Sequence, residues 1–398
     1  MNRNTLSFWL PEGIDPSQFP GKRETPAKVA YIFSKLTVSP YDCDRDYINI
    51  NKQRLRSLVT IHTERIAFAY FRDKVECDRH YEVGVHSKGY RLGKLLRGKR
   101  AIRHECHCPQ FASKLFKIRQ EAKRQYSNLQ SYIDESMKGM SLEIDISSTV
   151  ANLPPKAGVK DQIHRLNVIQ ASAYAIQQGD MGMVKVDQRS GRVYTSVNRL
   201  SKHLRRDLTL FGEQVCEIDL ASSQPYFLCV QFQSPAMREA VSCGEFYQRI
   251  NDSLDEPFNM DCPDSYGTLK QTVLAHIYAN PTRPNGKRYD YTESPTYKCR
   301  QVAGAMERSY PGINDFLRSY RAKHGDKALP VSMQKVESEI FIQQVLHELM
   351  LKDIPASPIH DSILCRISDA EKIEKLLEET LEEKTGIKPT LRREKREI

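Results

Sequence analysis

The chain has 398 residues, of which 39% are hydrophobic and 28% charged, with a formal charge of +10 and a pI near 9.0. That length supports a sizeable core split among two or three subdomains and excludes a small module held by metal or disulfides. The excess of lysine and arginine favours a polyanionic partner, nucleic acid before a membrane surface. The opening MNRNTLSFWLPEG lacks the apolar core of a secretory signal and no later run could span a bilayer, so a soluble intracellular protein with no membrane partner is expected. Ten cysteines in no regular framework read as reduced thiols.

Residues 1 to about 60 contain Pro11, Pro16, Pro20, Pro26 and Pro40 and predict an irregular extension, followed by a helix near Arg54 to Tyr70. From Lys88 to Arg124 twelve lysines and arginines face only two acids, Glu105 and Glu121. This is either a contact surface for a phosphate backbone or a solvated helical face. Cys77, His80, His104, Cys106, His107 and Cys108 are zinc-ligand types. Their Cys-x-Cys spacing is tighter than the usual two-residue gap and no second cysteine pair follows, which disfavours zinc. Phe111 to Met137 predicts one or two helices, and Met140 to Pro155 a strand and a linker. Asp145, in EIDIS, superficially repeats the later EIDLAS, but no Gln-Pro and helix follow it. Between Gly191 and Leu210, Arg192, Arg199, Lys202, Arg205 and Arg206 form a basic approach suited to a nucleic-acid backbone or nucleotide phosphate, Arg199 and Arg206 among them.

Val215 to Leu228, VCEIDLASSQPYFL, is the organising stretch. Val215, Ile218 and Leu220 read as a buried strand broken by Asp219, and Pro225 fits the first turn of a following helix. A carboxylate ending an apolar strand is costly to bury alone, so it should face a cleft and meet a cation or a donor. In Asp264 to Asn280, Leu269, Val273 and Ile277 give helical periodicity, and Lys270, Leu274 and Tyr278 recur every four residues on one face. Ser357 to Ile367, SPIHDSILCRI, predicts a tight hairpin with His360 and Asp361 at its tip. If Asp219 and Asp361 converge, they can hold two Mg²⁺ ions, which activate an attacking 3′ hydroxyl and stabilise leaving pyrophosphate. Taken singly, a strand-end aspartate is more often a cap, His-Asp-Ser occurs by chance, and Lys-x3-Leu-x3-Tyr fits any amphipathic helix.

Taken in order, the three stretches resemble motifs A, B and C of the family A DNA polymerases and the related single-subunit phage-type RNA polymerases. Ser309-Tyr310-Pro311-Gly312 before a helix, and Gln334 to Glu339 before another, extend the resemblance over roughly half the chain, from Gly191 to the end. It implies an α/β right-hand fold with an antiparallel palm sheet, helical fingers and a basic, mostly helical N-terminal half. The corresponding segments are 1–150, thumb-like and nucleic-acid binding; 151–233, linker and first palm part; 234–330, fingers; and 331–398, second palm part. The activity implied is template-directed addition of nucleotides to a 3′ hydroxyl, DNA synthesis favoured over an RNA polymerase or primase-like activity. The partners implied are template, primer and nucleoside triphosphates.

By the same resemblance Asp219 and Asp361 are metal ligands, helped by the carbonyl of Leu220. Lys270 holds the triphosphate, Tyr278 lies by the sugar or templating pair, and His360 touches the primer terminus. Several positions depart from the pattern. Gln224 replaces the glutamate that bars a ribose 2′ hydroxyl, Leu274 an aromatic residue and Ala279 a glycine. Ser362 follows Asp361 as in the RNA polymerases. The motif B arginine is absent, with Arg300 or the 192 to 206 cluster as substitutes. A non-catalytic nucleic-acid-binding protein and a metal-dependent nuclease remain as readings from other classes.

Overall fold

The computed structural model describes residues 4–41, 47–78, 88–155, 161–278 and 297–394. It has a mixed α/β fold with antiparallel sheets and divides into two units. The first comprises Met1–Ser131, Ser141–Met183 and Arg199–Arg205; the second comprises Tyr132–Met140, Val184–Asn198 and Arg206–Ile398. His80 and Ala279 lie outside the described residues. No described helix is long and apolar enough to cross a membrane.

In the first unit the N-terminal residues are regular, contrary to the expected irregular extension. Thr5–Pro11 is a strand paired antiparallel with Ala101–His107, and Thr25–Val38 is a helix. The prolines stand where their missing N–H costs nothing: Pro11 ends the strand, Pro16 opens a 3₁₀ turn, and Pro26 lies in the first turn of the helix. The single helix expected near 54–70 is two, Lys52–Val59 and Ile61–Tyr70, parted at Thr60, whose φ of 70° cannot continue a helix. Thr60 caps the second by accepting from the Thr63 amide at 3.3 Å. Helices at Pro109–Lys123, in this unit, and Asn128–Lys138, most of which belongs to the second, match the expected pair. Asp145, the residue set aside as a false repeat, caps the helix Ile146–Ala151, where a linker was expected, by accepting from the Ser147 and Ser148 amides.

The core of this unit gathers Phe8, Leu10, Ile32, Phe33, Leu36, Phe71 and Phe111. Phe33 and Phe71 stack with centroids 4.2 Å apart, and Phe19 meets both edge-on. Phe33→Ala is therefore expected to cost about 3–5 kcal/mol through lost transfer energy and an unfilled cavity. Urea unfolding followed by far-UV circular dichroism measures this, and a loss below about 1 kcal/mol would contradict Phe33 as a core anchor.

The second unit is built on the strand Glu213–Leu220. One edge pairs with Ser362–Arg366, from Val215 opposite Arg366 to Asp219 opposite Ser362. It also pairs with Leu391–Glu394, Leu220 opposite Leu391, and through Glu213 with Leu208–Leu210. Four successive residues, Val215 to Ile218, are buried, so both faces of the strand are covered, which explains its short unalternating apolar run. The one acid among them, Glu217, accepts from the Ser362 hydroxyl at 2.8 Å.

Helices follow at Pro235–Ser242, Phe246–Asp252, Pro263–Tyr278, Tyr297–Ser309 and Ile313–His324. The Ser309 to Gly312 segment is a turn between two of them. Tyr310 is buried there, stacked on Phe246 at 5.1 Å and donating to its carbonyl at 3.0 Å. Gly312, at φ 86°, turns the chain into the next helix. The Gln334 to Glu339 stretch, expected ahead of a helix, lies within one helical run from Ala328 to Leu351, with π-helical Glu339–Val345 in its middle. A π segment locally shifts which side chains face inward, and it begins two residues after Glu337.

Candidate active site

Two backbone facts bring the predicted acids together. Asp219 sits opposite Ser362 in the paired strands, and the Leu220 amide donates to the Asp361 carbonyl at 3.2 Å. Asp361 stands at the tip of the hairpin joining Ala356–Ile359 to Ser362–Arg366, with Ile359 opposite Ser362, so only His360 and Asp361 form the turn. His360 has φ 56°, a left-handed conformation costing about 1–2 kcal/mol for a side-chain-bearing residue, held here by strands on both sides. Its ring meets Tyr194 edge-on at 5.5 Å. After Leu220 the chain turns through Ser222, at φ 51°, into the helix Ser223–Gln231, with Pro225 in its first turn as expected. That turn directs the Ser223 hydroxyl onto the Asp361 carboxylate.

Both aspartates are partly exposed, while Ile218, Leu220 and Ser362 beside them are buried. Among the described residues no group of three or more His, Cys, Asp or Glu side chains could hold a metal. Two aspartates brought side by side by their backbones are compatible with magnesium, which commonly takes one or two protein carboxylates and completes its shell with substrate phosphates and water. A zinc cage would need more protein ligands.

Beside the acids lies a buried network that the sequence reading did not foresee. Arg192 grips Glu337 with two parallel bonds of 2.7 Å. Glu337, only 1% exposed, accepts from the Gln224 amide at 3.0 Å, and the Gln224 carbonyl accepts from the Tyr278 hydroxyl. Burial pushes the Glu337 carboxyl above its ordinary range despite the opposing pull of Arg192. Burial also works against the Arg192 charge, but pairing with Glu337 more than offsets it and the guanidinium is raised. Burial raises the Tyr278 phenol, so it stays a donor.

The helix Pro263–Tyr278 presents Tyr266, Lys270, Leu274 and Tyr278 on one stripe. Leu269, Val273 and Ile277 fill the buried side, as the periodicity predicts, while Lys270 is exposed and Leu274 half-buried. The Lys270 ammonium lies 5.9 Å from the centre of the Tyr247 ring, and Tyr247 meets Tyr266 edge-on at 5.9 Å. Tyr247 is 3% exposed, and its hydroxyl is buried without a hydrogen-bond partner. Burial first, then the neighbouring Tyr266, Tyr278 and Asp361, push this phenol well above its ordinary value. Tyr247 thus stands beside the lysine stripe and close enough to Asp361 to feel its charge.

Arg199 belongs to the first unit and is exposed. Arg206 belongs to the second, half-buried, with an Nε lacking a partner. Arg300 is exposed on its helix, and Arg192, one of the proposed substitutes for the missing motif B arginine, reaches the Tyr278 network through Glu337 and Gln224. Cys77, Cys106 and Cys108 are free thiols. Glu337 had one signal in sequence, an acid next to Val336 in the run QKVESEIF, shared there with Glu339. Tyr247 had none beyond being one of nineteen tyrosines.

No family model matches the chain, and no curated protein matches it. Among solved structures it is similar to the POL domain of Pol1 from M. smegmatis in complex with DNA primer-template and dNTP. The two share 11% identity over 72% of this chain and 74% of that one, with a TM-score of 0.43. At that level the likeness carries no residue correspondence.

Proposed function

We propose that the chain is a template-directed nucleic-acid polymerase, DNA synthesis favoured, adding nucleotides to a primer 3′ hydroxyl. What supports this most is the backbone adjacency of Asp219 and Asp361, the first opposite Ser362 and the second accepting from the Leu220 amide, with Lys270, on the helix Pro263–Tyr278, over the ring of Tyr247. Two magnesium ions bound by these carboxylates and the nucleotide's phosphates would neutralise charge on the attacking and leaving oxygens. In the reaction the 3′ oxygen loses its proton and bonds to the α-phosphorus as the bond to pyrophosphate breaks.

Each side chain then has a defined task. Ser223, by donating to Asp361, fixes that carboxylate in direction. Lys270 carries its charge on an exposed stem and is suited to the β- and γ-phosphates and to the departing pyrophosphate. Tyr278 and Gln224 form the wall for the incoming sugar, and His360 lies toward the primer end. Residues 234–330 act as fingers, 151–233 and 331–398 as the palm, and the basic first 150 residues as a thumb-like clamp on the duplex. A polymerase taking ribonucleotides is the second reading, favoured by Gln224 standing where a carboxylate would exclude the 2′ hydroxyl.

The deciding assay supplies DNA or RNA template, with or without primer, and dNTPs or NTPs in Mg²⁺. Primer extension with dNTPs supports the first reading and NTP incorporation the second. Mg²⁺-dependent shortening without nucleotides would make the protein a nuclease, and binding without either product a non-catalytic partner of nucleic acid. A finer test uses Tyr247. A buried hydroxyl with no partner costs about 1–3 kcal/mol, so Tyr247→Phe is expected to raise thermal stability. If the hydroxyl is kept to meet a nucleotide phosphate as the site closes, the same variant raises KM for the nucleotide about tenfold with kcat nearly unchanged. Steady-state kinetics showing an unchanged KM would remove Tyr247 from the site.

A further inference from the structure

The first unit carries a cleft of about 430 Å³, within the size range of small-ligand sites, walled by Trp9, Ile102, Arg103, Gln170, Tyr174 and Gln177. Trp9 and Arg103 face each other in the antiparallel pair of Thr5–Pro11 with Ala101–His107, and Tyr174 comes from the helix Gln162–Gln177. The Trp9 and Tyr174 rings meet edge-on at 5.7 Å, and the Arg103 guanidinium lies over the Tyr174 ring at 4.2 Å. Ile102 remains 43% exposed at the rim. An indole, a phenol ring and a guanidinium plane converge on this open cleft, and none of the three belongs to the core cluster of Phe8, Leu10 and Phe33.

The cleft has the chemistry of a stacking platform. Gln170 and Gln177 offer amide donors and acceptors, one Gln177 N–H being already bonded to the Ile144 carbonyl at 3.2 Å. The one acid in the lining, Asp145, is engaged in capping Ser147 and Ser148. Lys99 and Arg100, both exposed, lead directly into the cleft wall. Asn167 fixes their position, accepting from the Ala101 amide at 2.9 Å and donating to the Lys99 carbonyl at 3.1 Å. Arg103 is itself tied to Glu105 at 2.6 Å and to the Ser7 hydroxyl at 2.9 Å, so its plane is held in place.

We propose that this cleft binds an unpaired base of single-stranded nucleic acid, with Lys99 and Arg100 on the adjoining phosphates. Planar heteroaromatic rings stack on aromatic and guanidinium faces whatever their sequence, and a basic rim draws in the backbone. The proposal stands independently of the acids of the second unit.

Trp9 is the only tryptophan in the chain, so its emission reports on this cleft alone. An oligo(dT) of about 16 nucleotides, titrated at low salt, is expected to quench Trp9 saturably. An abasic oligonucleotide of equal length should bind at least roughly tenfold more weakly and without quenching. Tyr174→Ala and Arg103→Ala should each weaken oligo(dT) binding roughly tenfold, while Tyr174→Phe binds as the parent does. Ile102→Glu, a change at an exposed position that spares the core, should also weaken binding by placing a carboxylate at the rim. Unchanged emission with oligo(dT), equal quenching by the abasic strand, or parental affinity in both Tyr174→Ala and Ile102→Glu would overturn the proposal. Because binding is read without nucleotide or catalysis, its failure is distinct from failure of the polymerase assay.

Discussion

Asp219→Asn and Asp361→Asn are each expected to lower nucleotide incorporation by about a thousandfold or more while nucleic-acid binding is largely kept. Asparagine has the size and shape of aspartate, so the backbone pairing of Asp219 with Ser362 and the bond from Leu220 to Asp361 do not depend on the charge. In Asp361→Asn the side-chain amide oxygen can still accept from Ser223. On the proposed function, what is lost is the negative charge that Asp219 and Asp361 would offer to divalent ions, and a rate drop of that size corresponds to about 4 kcal/mol of transition-state stabilisation. Binding should survive because the twelve basic residues between Lys88 and Arg124 are untouched. Single-turnover primer extension together with an equilibrium binding measurement checks both halves. Full turnover by either variant would end the two-acid reading.

The second large effect concerns where the acid of the sugar wall resides. Gln224→Glu, the direct way to restore the usual carboxylate, would set it against Glu337, whose oxygen lies 3.0 Å from the Gln224 amide nitrogen. Two carboxylates at that distance in a buried site cannot both ionise cheaply. Glu337→Gln fails differently, by leaving Arg192 without its partner, a break that in buried pairs costs about 3–5 kcal/mol. The exchange Gln224→Glu with Glu337→Gln keeps one acid, one amide and one arginine in the network. It is expected to be more stable than either single variant, by a coupling of about 1–3 kcal/mol.

The sign of the pH effect follows from the same geometry. In Gln224→Glu a carboxyl has a folded-state pKa raised above its unfolded value, beyond the raising that burial already imposes on Glu337. Its deficit against the parent should therefore be absent in acid, below the unfolded carboxylate range. The deficit should grow as pH rises from the unfolded carboxylate range through the raised folded-state value and level off above it. Unfolding midpoints at acid and neutral pH measure this, and a deficit constant across pH would mean that the two groups do not share a proton. If Gln224→Glu or the exchange also leaves ribonucleotide use unchanged, position 224 is not the sugar filter.

Much of this was legible in the chain itself, and the reason is local. The periodicity of Leu269, Val273 and Ile277 marks a helix because a buried stripe has to recur with the helical turn. Pro225 marks a helix start, and SPIHDSIL marks a hairpin, because strand propensity on both sides leaves only His360 and Asp361 to turn. The prolines before residue 60 misled because proline disrupts the middle of an element and is tolerated at its ends, and a sequence alone does not say which of the two holds. Asp145 and Asp219 share the tripeptide Glu-Ile-Asp, yet one is a helix cap and the other stands beside a second acid.

That last difference is tertiary. Sequence determined that Asp219 ends an apolar strand, that Asp361 tips a hairpin, and that Lys270 and Tyr278 share a helical face. Only the folded chain decided that Asp219 lies opposite Ser362, that Glu337 delivers its carboxylate to Gln224, and that Trp9, Arg103 and Tyr174 meet in one cleft. Side-chain patterns report which face of an element must be buried; the partner it is buried against depends on strand register and helix packing, set by contacts between residues far apart in the chain.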